Sequence, residues 1–227
     1  MWAYPPKKIL VAVDFGEASS AALRVAGELA RRFDATLTAV HTESFEAPPY
    51  FTADQVRTIE QQRRNARREA GRYLETHARK LAGMAVSAVI AEGPAVSGIL
   101  AAARSQDLIV MGTHGRRGPA RWWAGSVAER VVREARAPVL VVRTAGASLP
   151  AVFKRIALSS PANGSPLRYA RGLAEAFDGT ADASLAPEDG TLVVLSQPAA
   201  VGPLRVSAET DRLLRTCRRP LLFVPAI

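Results

Sequence analysis

The chain has 227 residues, 48% of them hydrophobic, and carries 30 Lys and Arg against 21 Asp and Glu. That is enough chain for one large domain or a domain and a fraction, with an ordinary supply of core residues. No apolar run reaches membrane-spanning length, residues 1–8 lack the apolar stretch of a signal peptide, and a single cysteine leaves no internal disulfide, so the expectation is a soluble, cytoplasmic protein with no membrane partner.

Residues 8–13 form a compact apolar strand. Residues 19–33 carry Leu23, Ala26, Ala30 and Phe33 at helical spacing. Residues 36–41 alternate as a second strand, and residues 45–52, with Pro48-Pro49, read as a loop. A long helix follows over 53–81, with a stripe at Ile59, Ala66, Ala70, Tyr73, His77 and Leu81. It also gathers Arg63, Arg64, Arg67, Arg68 and Arg72, interleaved with Glu60, Glu69 and Glu75. Residues 1–147 hold 21 basic against 14 acidic residues, and residues 148–227 hold nine against seven. We read the basic segment as a solvated helix face. A polyanion-attracting patch is the sharper alternative, but no nucleic-acid motif accompanies it, so nucleic acid is not the expected partner. A third strand spans 86–91. Gly93-Pro94 turns the chain into a short helix ending near residue 105. The fourth strand is 108–111. A helix over 127–136 stops before Pro138, and the fifth strand is 139–142.

Strands alternating with helices predict a parallel sheet with right-handed crossovers. Such sheets take ligands beyond the carboxyl ends of the strands, where strand order reverses. The fourth strand runs straight into Gly112-Thr113-His114-Gly115, and nine residues later Gly125-Ser126 opens a helix. Glycines let the backbone approach an anion closely, and the first free N–H groups of a helix point at it. Ser126 offers a hydroxyl and an N–H, and Val127 another N–H. Arg116, Arg117 and Arg121 lie in the loop, where they either neutralise phosphate charge or are simply solvated.

The pattern Gly-x2-Gly-x9-Gly-Ser resembles the signature of the ATP-binding branch of the universal stress protein family. The resemblance covers residues 7–143 well and 153–225 patchily. It implies a five-stranded, Rossmann-like open parallel sheet of order 3-2-1-4-5. The crevice then lies between the first strand, ending at Ala12, Val13 and Asp14, and the fourth, ending at Met111 and Gly112. It implies ATP, or else ADP or AMP, as ligand, with any Mg²⁺ arriving with the phosphates. In this reading Asp14 meets the ribose and base end, and the Thr42 backbone meets adenine. Ala12, Val13 and Met111 wall the pocket. Gly112, His114, Gly115, Arg116, Gly125, Ser126 and Val127 surround the phosphates. Asp14 also has a plainer reading, as a cap on the following helix. Trp122 and Trp123 stand where the family has aliphatic residues. They either anchor the loop by packing or narrow the phosphate mouth.

Other chemistries find little footing. A His114, Ser126 and Asp14 triad lacks the Gly-x-Ser-x-Gly elbow. No His and Cys cluster has metal-ligand spacing. No Gly-x-Gly-x-x-Gly follows an early strand, and Asp14-Phe15-Gly16-Glu17 is not the loop of a nucleotide-dependent synthetase. Cys217 lies in an apolar helical pattern and reads as a buried thiol.

The chain then repeats itself. The pattern Leu-Arg-x-Ala-x2-Leu-Ala-x2-Phe-Asp at 23–34 recurs at 167–178. Residues 130–142 are echoed by 212–224, with Pro138 matching Pro220, and 108–110 by 192–194. Residues 36–106 have no counterpart beyond 179–190. We therefore divide the chain into a nucleotide-binding domain, 1–147, and a truncated copy, 148–227, without the two middle strands and their helices. The copy has no carboxylate from 153 to 174, and has Ser196 and Ser207 in place of Gly112 and Gly125, so no phosphate cradle is expected there. The resemblance implies that its fifth strand, 221–224, pairs antiparallel with 139–142, an intramolecular pseudo-dimer. A homodimer or other protein partners remain open. The expected role is nucleotide binding in stress regulation, without catalytic residues. The alternatives are a nucleotide-independent interaction scaffold and a slow ATPase.

Overall fold

The computed structural model describes residues 2–44, 52–113, 126–143, 149–159, 164–197, 212–213 and 216–225. The first half is β1 (Lys8–Ala12), α1 (Glu17–Phe33), β2 (Thr36–Glu43), α2 (Ala53–Ala82), β3 (Ser87–Glu92), α3 (Ala95–Ala102), β4 (Leu108–Thr113), α4 (Ser126–Glu134) and β5 (Val139–Arg143). The second half is β6 (Arg155–Leu158), α5 (Gly164–Ala176), β7 (Thr180–Asp182), β8 (Leu192–Ser196) and β9 (Leu221–Val224). The nine strands among the described residues lie in one sheet of order β3-β2-β1-β4-β5-β9-β8-β6-β7. The first five are mutually parallel, in the expected 3-2-1-4-5 order. The last four are parallel among themselves. The two groups meet at one antiparallel pair, β5 and β9, with Val139 opposite Phe223 and Val141 opposite Leu221.

Both strands of that seam are buried along their length, as strands covered on both faces are. The apolar core runs through the seam on each side of the sheet. One face gathers Ile9, Val11, Leu23, Leu74 and Leu140 with Leu158, Leu173 and Leu222. The other gathers Leu10, Ile109, Val131 and Val141 with Val193, Leu221 and Phe223.

The repeat is visible in matched capping contacts. Asp34 and Asp178 both end their helices in the left-handed region, at φ 49° and 50°. Lys7 Nζ donates to the carbonyls of Phe33 and Asp34, and Lys154 Nζ to those of Phe177 and Asp178. A cation at a helix C-terminus satisfies carbonyls that have no partner within the helix. Thr36 and Thr180 each then donate a backbone N–H to that lysine's carbonyl at 2.9 Å. Phe33 meets Phe177 edge-on between the halves, ring centres 6.1 Å apart.

Three expectations need correction. The second half does not lack both middle strands, since β7 pairs parallel with β6. Three residues are too few for a period-2 pattern, and the recurring Phe-Asp-x-Thr was the available signal. Helix α1 starts at Glu17 rather than 19, because Gly16 is its N-cap residue and the Ser19 and Ser20 hydroxyls donate to the Gly16 carbonyl from inside the first turn. The buried stripe of α2 is rotated. Leu74, Ala78 and Ala82 enter the core, whereas Ala66 is exposed and Tyr73 is 63% exposed.

Candidate nucleotide crevice

β1 and β4 are neighbours, with Ala12 opposite Met111. The helices that follow these strands lie on opposite faces of the sheet. Helix α1 packs on the Ile9 and Val11 side, and α4 on the Leu10 and Met111 side. The two strand ends are therefore the switch point, the place at which open α/β sheets bind ligands.

Side-chain alternation sorts the wall residues. Ala12 and Met111 share the α4 face. Val13 is 4% exposed and buried in the α1 core, so it offers the crevice only backbone. Its N–H donates to the Val40 carbonyl at 2.8 Å, continuing the β1–β2 ladder past the strand end. Thr42 sits at the far end of β2, opposite Ala91 of β3. Its methyl faces Gly98 of α3, where a Cβ would come within 2.8 Å of it.

Asp14 is exposed, and its Oδ1 accepts the Gly16 N–H at 2.9 Å. The plainer reading of this residue, a cap on the helix, does not hold: Gly16 is the N-cap residue and no side chain caps α1, while the Asp14 carboxylate closes the turn ahead of it. Gly112 has a packing reason to be glycine. A Cβ there would lie 2.2 Å from the Ala18 carbonyl carbon and 2.5 Å from the Ser19 nitrogen. The first turn of α1 rests directly on the end of β4, which holds the two lips of the crevice at backbone contact. Thr113 next to it is 3% exposed.

His114, Gly115, Arg116, Arg117, Arg121, Trp122, Trp123 and Gly125 lie outside the described residues. Ser126 is the first residue of α4, and Val127 packs partly against the α4-side core. The Glu129 and Arg133 side chains pair at 2.7 Å along that helix. The structure therefore brings Ala12, Asp14, Met111 and Gly112 together at the strand ends.

Two arrangements went unseen in the sequence. Phe15 is inserted between His41 of β2 and Tyr73 and His77 of α2, with ring centres 4.9, 5.3 and 5.4 Å away. Arg67 of α2 pairs with Glu92 and reaches Glu43 at 4.0 Å, two carboxylates directly opposite each other on β3 and β2. One guanidinium thus relieves their repulsion and ties α2 to the crevice edge. The sequence signals were faint: a histidine alternating with apolar residues on β2, and one arginine among many.

An open α/β sheet whose strand order reverses between β1 and β4 is the class that the fold defines. Within that class the chain belongs to the universal stress protein family, whose description matches residues 5–143. The family is associated generally with stress response. Universal stress protein MJ0531 of Methanocaldococcus jannaschii is 32% identical over 140 residues, covering 60% of this chain and 82% of that protein. A universal stress protein from Archaeoglobus fulgidus superposes with a TM-score of 0.70 at 13% identity, covering 96% of this chain and 98% of that one. PA1789 of Pseudomonas aeruginosa gives 0.65 at 15% identity, covering 97% and 93%. At such identities the likeness speaks for the fold, and it spans both halves. No helix among the described residues is long and apolar enough to cross a membrane.

Proposed function

We propose that the first half binds one adenine nucleotide in the crevice between β1 and β4, and that its occupancy serves a regulatory, stress-response role. ATP is the expected ligand, with ADP and AMP as alternatives and any Mg²⁺ carried in by the phosphates. The observation that carries this reading is the divergence of α1 and α4 from adjacent strand ends, with Gly112 holding the lips in backbone contact. The residues fit such a group. Ala12, partly exposed at the end of β1, offers an apolar wall for a base, and Asp14 presents a carboxylate for ribose hydroxyls. The start of α4 presents the N–H groups of Ser126 and Val127 to phosphate, on a Gly-x2-Gly-x9-Gly-Ser loop. The second half is a structural partner without a site. It has no carboxylate before Glu175, and its loop carries Ser196 and Ser207 for the two glycines.

Mass spectrometry of nucleotide released from the purified protein identifies the ligand, and calorimetry counts it. One site per chain is expected, abolished by Gly125→Val, because a branched side chain fills the space where phosphate meets the helix start. Two equivalent sites, or full affinity in a folded Gly125→Val protein, would overturn the assignment.

A further inference from the structure

Phe15 adopts φ 61°. An aromatic residue pays for the left-handed region through its Cβ, and glycine would take the same turn without strain. The other two non-glycine residues with positive φ among those described, Asp34 and Asp178, follow helix ends, where that conformation is expected. Phe15 instead lies between Asp14 and the N-cap residue of α1.

Each residue of this turn is held by a named contact. Val13 gives its N–H to Val40, and His41 Nδ1 donates to the Val13 carbonyl at 2.7 Å. Asp14 Oδ1 takes the Gly16 N–H. The Gly16 carbonyl takes both serine hydroxyls, at 3.1 and 2.9 Å. Phe15 alone in the turn is held by its ring, against one imidazole from β2 and a phenol and a second imidazole from α2. Neither α1 nor β1 needs that ring for its own seat. Helix α1 is anchored by Ala22, Leu23, Ala26 and Leu29, and β1 by Ile9, Leu10 and Val11, all within 1% of full burial. What the ring fixes is the turn, and the turn's outward-facing side chain is Asp14. Strain kept at one residue by surrounding structure marks a site whose geometry is set in advance.

We infer that Phe15 is a positioning residue for the nucleotide crevice: its ring, caged by His41, Tyr73 and His77, locks the strained turn that presents the Asp14 carboxylate. This rests on the nucleotide reading above and adds a residue to it. It also makes α2 a support of the crevice, since two of the three cage rings are carried by that helix.

The test is calorimetry of the full chain with ATP and, separately, adenosine, on the wild type and on Asp14→Ala, Phe15→Ala, Phe15→Gly and Phe15→Tyr. Phe15→Gly keeps the backbone conformation accessible and guards against a folding failure of Phe15→Ala. Freeing a turn residue that must be ordered again on binding weakens affinity by about tenfold. Phe15→Ala and Phe15→Gly should lose that factor equally for ATP and adenosine, because Asp14 serves the ribose end, and Phe15→Tyr should restore it. A general loss of stability would also lower the apparent affinity for both ligands alike, so the unfolding midpoint of each variant is measured beside its affinity, and the tenfold loss must appear in protein that is fully folded at the assay temperature; a loss that vanishes once the unfolded fraction is taken into account refutes the positioning role. If Asp14→Ala loses binding while Phe15→Ala and Phe15→Gly bind as the wild type does, the positioning role is wrong and the nucleotide reading stands. A loss for ATP but not adenosine also refutes it. If the wild type binds neither ligand, the nucleotide reading fails and the Phe15 role falls with it.

Discussion

Gly112→Ala isolates the contact between the end of β4 and the first turn of α1. The added methyl would lie 2.2 Å from the Ala18 carbonyl carbon, 2.4 Å from its oxygen and 2.5 Å from the Ser19 nitrogen. All three are backbone atoms of the first turn of α1, so no side-chain rotation relieves the overlap. Reaching ordinary contact requires α1 to retreat by roughly 1 Å, and its buried face sits in a close-packed core. Overpacking of this kind costs typically 1–3 kcal/mol, and an obstacle made of helix backbone points to the upper part, about 3 kcal/mol. For a chain of this size that is a fall in melting temperature of about 6–12 °C. Gly71→Ala supplies the opposite sign in the same assay. Gly71 lies inside α2, and a Cβ there meets only the Ile90 Cγ1 at 3.9 Å. It should stabilise the protein by about 0.8–1 kcal/mol from helix propensity alone. Thermal and urea unfolding of the two variants beside the wild type decides the matter. A Gly112→Ala protein within 0.5 kcal/mol or so of the wild type, where ordinary surface changes fall, would mean that the lips are not in backbone contact.

Three further outcomes follow from the fold and the proposed site. Any ATP hydrolysis should be slow, since the motif supplies positioning without a base for water; several turnovers per second, lost on His114→Ala, would reinstate an enzyme. Deleting residues 148–227 uncovers β5, whose Val139, Leu140, Val141 and Val142 are each at most 3% exposed, so the remaining half should aggregate or pair with itself through that edge; light scattering showing an equally stable monomer would refute the seam's importance. Burial, reinforced by Glu175, pushes the Tyr4 hydroxyl up to about 12 from 10.0. The folded state therefore favours neutral Tyr4, and this contribution is intact below pH 10 and lost as pH rises toward 12. Alkaline unfolding curves should show that loss, flattened in Tyr4→Phe.

Periodicity and punctuation carried the first half almost entirely. The five strands and the helices between them were legible because each is a run of apolar residues long enough to show its period, whereas the strand order and the antiparallel seam came from the family resemblance. What the sequence hid is of two kinds. The three-residue β7 is shorter than any period, and the buried face of α2 turned on Leu74 and Ala78 rather than on the more conspicuous Tyr73 and His77. The other kind is a contact between distant segments, such as Phe15 with residues of β2 and α2, or Gly112 with the first turn of α1. Gly112 was singled out by its motif, and its packing reason emerges only when α1 is set beside β4. Asp14 was visible at the crevice because a carboxylate closing an apolar strand is conspicuous.

The β5–β9 seam joins two copies of one fold that share a backbone. In a dimer of separate chains such a pairing weakens on dilution, and every substitution appears twice, once on each side of the axis. A tether replaces the partner's concentration by a fixed effective one, of millimolar order for short flexible connections, so the pairing here is indifferent to how much protein is present. The tether also frees the two sides to change separately. The 148–227 half can shed helices, shorten a strand to three residues and replace its loop glycines, while the first half keeps its five strands and its supporting edge.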